Sequence, residues 1–210
     1  MFHISVDDHE IAVAENTNLL AACLANDIYI PNLCYIEGAE HASASCRLCF
    51  VEVAGMDRPV TACTVLVTEG MRVRTDTGAV RHLQRSALRL LLSVHHIDCR
   101  NCPANKRCEL QKMARFLGMR LNAKPLETVL KSCELDASHA FIDYYPNRCV
   151  LCGRCIAACR DQHDLPFLAF AKRGFETIIS SFGHDATSDV CLDCDACVAI
   201  CPVAAIIAKQ

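Results

Sequence analysis

Close to the end of the chain four cysteines crowd into eleven residues, and the same arrangement occurs once more upstream. The stretches are CVLCGRCIAAC, residues 149–159, and CLDCDACVAIC, residues 191–201. Both space their thiols as C-x2-C-x2-C-x3-C, and Pro202 follows the second copy. Gaps of two residues let a short loop wrap three corners of a compact inorganic body, while the fourth cysteine points away from its own loop. Zinc is the alternative occupant, but tetrahedral zinc sites take four ligands from paired C-x2-C units, usually well separated. Two runs of four fit a pair of iron–sulfur cubanes, each copy lending its last cysteine to the other cluster. On that pattern Cys149, Cys152, Cys155 and Cys201 hold one [4Fe–4S] cluster, and Cys191, Cys194, Cys197 and Cys159 hold the second.

This is the spacing of a two-cluster bacterial ferredoxin, with two departures. Cys159 is followed by Arg160 rather than proline, and 31 residues separate the copies. Within that insertion FLAFAKRGFETIIS, residues 167–180, reads as a strand, a turn at Gly174 and a second strand, an apolar surface suited to docking. The last cysteine is expected to start a short helix that continues through VAAIIA, residues 203–208.

Composition agrees with metal chemistry. Seventeen of 210 residues are cysteine, an odd count, and most stand in C-x-x-C pairs, which argues against a disulfide framework. The N-terminus lacks a basic segment followed by an apolar run, so no signal peptide is expected. The longest apolar run, residues 196–208, contains two cysteines and a proline, so no membrane span is expected, and the location implied is cytoplasmic. A formal charge of −3 argues against a nucleic-acid surface.

A second group, Cys34, Cys46, Cys49 and Cys63, follows C-x11-C-x2-C-x13-C. Plant-type [2Fe–2S] proteins share the C-x2-C core and a distant fourth ligand, with a narrower first gap. Four scattered cysteines also satisfy zinc, and the residues alone leave both open. The surroundings suggest a β-grasp fold. FHISV and EIAVA flank Asp7 and Asp8 as a hairpin, Asn16 or Thr17 caps a helix through Ala25, and CFVEVAG and GMRVRT supply further strands.

The third group has only three thiols, Cys99, Cys102 and Cys108. Upstream, Val80, Leu83, Ala87, Leu90, Leu91 and Val94 recur at helical spacing, and that helix ends at His95 and His96. A histidine at a helix end is ordinarily a partner of the helix dipole. Three thiols lacking a fourth turn attention to an imidazole ligand instead. Cys23, in LLAACLA, reads as a core residue, and Cys133 lies in a linker. Arg47, Arg100, Lys106, Arg107, Arg148 and Arg154, inside or beside the cysteine loops, are candidates to offset negative charge.

The order of the motifs is more specific than any one of them. NLCY, CRLC, ACT, HHIDCRNCPANKRCELQ, CVLCGRC and CPVAAI span nearly the whole chain. Together they resemble the N-terminal iron–sulfur region of the respiratory complex I large subunit. The likeness is closer still to the small diaphorase-side iron–sulfur subunit of soluble NAD-linked hydrogenases, and to the N-terminal part of [FeFe] hydrogenases. The resemblance implies a [2Fe–2S] cluster on Cys34, Cys46, Cys49 and Cys63. It also implies a [4Fe–4S] cluster on His95, Cys99, Cys102 and Cys108, with His96 a neighbour.

The expected fold is α+β: a β-grasp [2Fe–2S] ferredoxin domain at 1–78, a small helical His(Cys)3 [4Fe–4S] domain at 79–118, a linker at 119–139 and a two-cluster ferredoxin-like domain at 140–210. The chain stops where a hydrogenase catalytic domain would start, so no hydrogen-activating cofactor is expected on it. No G-x-G-x-x-G occurs, so neither NAD nor flavin is expected. The expected role is a non-catalytic electron relay in a multi-subunit NAD(P)-linked oxidoreductase. A flavoprotein subunit would stand on one side and a hydrogenase on the other. Alternatives are the same role with a formate dehydrogenase or in a complex I-like enzyme, a free-standing ferredoxin-type carrier, and a zinc scaffold. With so many thiols given to metal, the apo chain is expected to fold poorly.

Overall fold

The alternating run at the start of the chain turns back on itself through Asp7 and Asp8, both at positive φ, and strands β1 (Phe2–Val6) and β2 (His9–Val13) pair antiparallel. The structure is a computed structural model that describes residues 1–39, 42–122, 129–131, 134–163, 167–182 and 191–209. It comprises two units, Met1–Arg89 and Leu90–Gln210.

In the first unit, β3 (Phe50–Val53), β4 (Val60–Thr61) and β5 (Arg72–Arg74) complete a five-stranded sheet in the order β2-β1-β5-β3-β4. The β1–β5 pairing is parallel and β3 is antiparallel to both its neighbours. Helix α1 (Leu19–Ala25) adds Leu19, Leu20, Ala22 and Cys23 to the same core as Ile4, Val6, Val51 and Val73. This is the β-grasp arrangement that the alternation implied. The helix cap differs by one or two residues: Asn18, not Asn16 or Thr17, accepts from Leu20 N at 3.0 Å and Ala21 N at 3.3 Å. Asn16 is at positive φ, and the Thr17 hydroxyl donates back to Ala14 O.

Helix α2 (Gly78–Ser93) runs as the apolar spacing indicates, but its buried face is rotated. Val80, Ala87, Leu88 and Leu92 are buried, whereas Leu90 is 62% exposed. Gln84, a polar residue that the pattern passes over, is fully buried because its Nε2 donates to Phe50 O at 3.1 Å.

The second unit is built from short pieces. Helix α3 (Glu109–Phe116) buries Leu110, Met113 and Ala114. Strand β6 (Ile142–Tyr144) pairs antiparallel with β9 (Ile206–Ala208). Between them lie helix α4 (Arg154–His163), the antiparallel pair β7 (Leu168–Ala171) and β8 (Ile178–Ser181), and helix α5 (Ala196–Ala199). The β7–β8 hairpin, with Gly174 at positive φ in its turn, is the strand–turn–strand read from residues 167–180. The reading of VAAIIA as helix is overturned. After Pro202 and the left-handed Ala204, residues 206–208 form strand β9, where β-branched Ile206 and Ile207 pair with β6. Arg160 also finds its reason. Cys159 sits inside α4, where a following proline would break the helix, whereas Cys201 stands where the chain must leave one.

Candidate metal centres

In the first unit the loop from Cys34 to Cys49 turns through Gly38, Ala44 and Arg47, all at positive φ. All four thiols of the group are buried. Cys34 Sγ and Cys46 Sγ are 3.4 Å apart. Sharing one proton holds Cys34 below the ordinary thiol range and pushes Cys46 up; Cys63 and Cys49 form a second such pair. Cys49 feels the charge of Cys46 and Cys63 that of Cys34, so the structure brings Cys34, Cys46, Cys49 and Cys63 together. Arg47 lies over the Phe50 ring, 5.3 Å from its centroid.

Beyond α2, His95 is buried, and its Nδ1–H donates to Arg148 O at 2.7 Å. That fixes the ring and leaves Nε2 as the free nitrogen. Burial holds the imidazole below the ordinary histidine range, favouring the neutral form that a metal requires. His96 instead uses its backbone N–H, which donates to Asn147 O. Cys99 opens a 3-10 turn, Cys102 closes it, and Cys108 precedes α3. Burial pushes the Cys108 thiol up, and nearby Cys102 and Cys99 add to this.

In the ferredoxin-like part the thiols group across the two runs. Cys149 is raised by burial and by Cys201, and Cys152 is pushed to about 12 by burial, with Cys149 and Cys201 adding to it. Cys155 is raised by burial and then by Cys149, Cys152 and Cys201. The loop turns through Leu151 and Gly153 at positive φ, and a Cβ at Gly153 would meet the edge of the Phe170 ring at 3.5 Å. Leu151 N donates to Cys149 Sγ at 3.4 Å and Ala205 N to Cys201 Sγ at 3.3 Å. The other set shares one cavity, lined by Cys159, Cys191, Cys194 and Cys197. Cys197 is pushed to about 12 by burial, with Cys159, Cys194 and Cys191 adding to it.

Three further side chains reach these thiols without any sequence motif to announce them. The Tyr144 hydroxyl donates to Cys149 and accepts from Ile179 N at 3.2 Å. Lys131, whose Nζ is buried with no hydrogen-bond partner among the described residues, lies near enough to lower the Cys149 pKa. His163 Nε2 is 3.3 Å from Cys194 Sγ. Of the expected charge-offsetting residues, Arg154 has a buried Nε and lowers the Cys152 pKa, whereas Arg148 stacks on the Tyr145 ring at 4.0 Å. Cys23 is fully buried in the first core, as expected, and Cys133 lies outside the described residues.

The donor chemistry fits iron–sulfur clusters. The described cysteines are free thiols, grouped in the numbers such clusters take, with N–H and O–H groups aimed at sulfur. Among the described residues, no three His, Cys, Asp or Glu side chains close on one point as ligands of a single ion. None of the described helices is long and apolar enough to cross a membrane.

Comparison with known families agrees. The 2Fe-2S iron-sulfur cluster binding domain matches residues 1–78. The NADH-ubiquinone oxidoreductase-G iron-sulfur binding region matches 84–122, and the 4Fe-4S dicluster domain matches 148–205. The whole chain is similar to the NAD+-reducing [NiFe]-hydrogenase crystal structure in its H2-reduced state, with 28% identity and a TM-score of 0.86, covering 88% of that chain. All three family matches are to iron–sulfur binding segments. The chain is 33% identical to the NADP-reducing hydrogenase subunit HndD of Solidesulfovibrio fructosivorans, over all of this chain and 36% of that protein. It is 32% identical to NADPH-Fe(3+) oxidoreductase subunit alpha of Geobacter sulfurreducens, over all of this chain and 24% of the relative. The NADH-ubiquinone oxidoreductase 75 kDa subunit of Reclinomonas americana is 28% identical over all of this chain and 30% of its own length. The chain therefore spans about a quarter to a third of these curated relatives.

Proposed function

We propose that the chain carries one [2Fe–2S] and three [4Fe–4S] clusters and relays electrons between two partner subunits of an NAD(P)-linked oxidoreductase. One partner is a flavoprotein that exchanges hydride with the nicotinamide; the other is a catalytic subunit, a hydrogenase before a formate dehydrogenase. Cys34, Cys46, Cys49 and Cys63 hold the [2Fe–2S] cluster. His95 through Nε2, with Cys99, Cys102 and Cys108, holds one cubane. Cys149, Cys152, Cys155 and Cys201 hold the next, and Cys191, Cys194, Cys197 and Cys159 the last. We assign the roles to segments 1–78, 79–118, a linker at 119–139 and 140–210, and place the protein in the cytoplasm. Bound iron–sulfur clusters supply one-electron storage and transfer. The chain's own residues bury many of these thiols, direct N–H groups at sulfur, and fix the imidazole against Arg148 O.

The observation that carries this reading is the crossed grouping of thiols, Cys201 with Cys149 and Cys152, and Cys159 with Cys191 and Cys197. A relay inside an assembly is favoured over a free carrier by the exposed aromatic side chains of the insertion, Phe170, Phe175 and Phe182. The test is to purify the chain from its native source and identify the subunits that accompany it, then to measure iron. About fourteen iron atoms per chain, with little zinc, are expected from the cluster types. A colourless zinc protein, or an iron protein with no companion subunit, would refute the reading.

A further inference from the structure

His163 stands one helical turn after Cys159 on α4, so the two share a face. Its Nε2 is 3.3 Å from Cys194 Sγ, a contact that joins residues 31 positions apart. The ring is kept in place by an edge contact with Phe167, centroids 5.7 Å apart at 60°. It lines the same cavity as Cys159, Cys191, Cys194 and Cys197. A ligating cysteine is a thiolate and can only accept, so in the loaded protein the ring is the donor through Nε2–H.

We propose that His163 sets the reduction potential of the [4Fe–4S] cluster on Cys159, Cys191, Cys194 and Cys197 by donating this hydrogen bond to Cys194 Sγ. Reduction adds one negative charge to the cluster, and a donor at its sulfur stabilises the more negative state more strongly. The step is the addition of one electron from a soluble reductant, the proton remaining on Nε2. His163 is a positioning residue that acts through Cys194 rather than on iron. Leu151 N and Ala205 N direct backbone donors at the other cubane's ligands; here the donor is a side chain, which evolution or mutagenesis can remove alone.

The inference rests on the ligand assignment proposed above. The test uses the full chain loaded with iron and sulfide, titrated with dithionite and followed by electron paramagnetic resonance. His163→Ala and His163→Phe are expected to move this cluster's midpoint to a more negative potential at undiminished iron content. His163→Gln, which keeps an N–H donor, is expected to recover part of the shift, and the other clusters' midpoints should stay in place. Unchanged midpoints in His163→Ala and His163→Phe overturn the proposal. So does loss of iron in all three variants alike, which would make the ring a structural group rather than a donor. Cys194→Ser separates the two levels. If that variant keeps the cluster's spectrum and iron, the ligand assignment fails and this inference with it. If it disturbs the cluster while the histidine variants do nothing, only the role of His163 falls.

Discussion

The two units solve the same problem by different means. Met1–Arg89 has an apolar core of its own, with Leu19, Leu20, Ile30, Val51 and Val73 gathered with its five-stranded sheet, and two of its candidate ligand thiols, Cys49 and Cys63, are set into that core. Leu90–Gln210 offers only two-stranded sheets and helices of four to ten residues among the described residues, and its buried apolar side chains, such as Leu110, Met113, Ile142 and Ile206, are spread over these short pieces. Two-stranded ribbons are marginal in water, and helices this short rely on packing rather than propensity. The first unit has a fold that metal can be added to, whereas the second is expected to depend more on bound metal for its stability.

Removing iron is the strongest way to break that comparison. Treating the full chain with a chelator is expected to cost the second unit its amide-exchange protection, while amides of Val51, Val73 and Leu20 remain protected. Equal loss in both units would show that the first core is not sufficient.

Ligand substitutions come next in size. Cys201→Ser and Cys159→Ser are each expected to remove about four iron atoms, from different cubanes distinguishable by their paramagnetic signals. Cys63→Ser removes about two, and the first unit should still unfold cooperatively. If Cys201→Ser and Cys159→Ser disturbed the same cluster, the crossed grouping would be wrong.

What could be read from the sequence follows the same division. The repeated C-x2-C-x2-C-x3-C runs could suggest a crossed grouping because ligand spacing is a local property. The β-grasp strands showed in alternation. Residues 203–208 misled because a short apolar run has no period of its own: alanine favours helix, but the pairing of Ile206 with Tyr144 decides, and that contact is distant in sequence. Leu90 misled because several leucines in succession let more than one helix face pass for the buried one, until Gln84 bonding to Phe50 O fixes the rotation. Lys131 and Tyr144 carry no signal at all. His163 carried a faint one, its four-residue spacing from Cys159.

A core substitution in the first unit has a middling effect. Leu20 is fully buried, and Leu20→Ala is expected to cost the first unit about 2–5 kcal/mol in urea unfolding of the full chain. The [4Fe–4S] signals of the second unit should be unaltered. A change in those signals would mean that the second unit leans on the first core.

The smallest effect belongs to Cys23, a thiol that serves as core rather than as ligand. It is fully buried on α1, and burial, with the Asp7 carboxylate adding, pushes its pKa from 9.0 to about 12. Below pH 9 the thiol is protonated in the folded and unfolded chain alike, and its contribution to stability is complete. Between pH 9 and 12 the unfolded chain loses the proton and the folded one keeps it, so stability falls as pH rises. Cys23→Ala is expected to cost about 1 kcal/mol at pH 7 through the small void it leaves. In return it should flatten the alkaline decline of the first unit, seen as a smaller change in urea midpoint between pH 8 and 10, with iron content unchanged. A loss of iron would move Cys23 from core to ligand, and an undiminished alkaline decline would place the titrating group elsewhere in the first unit.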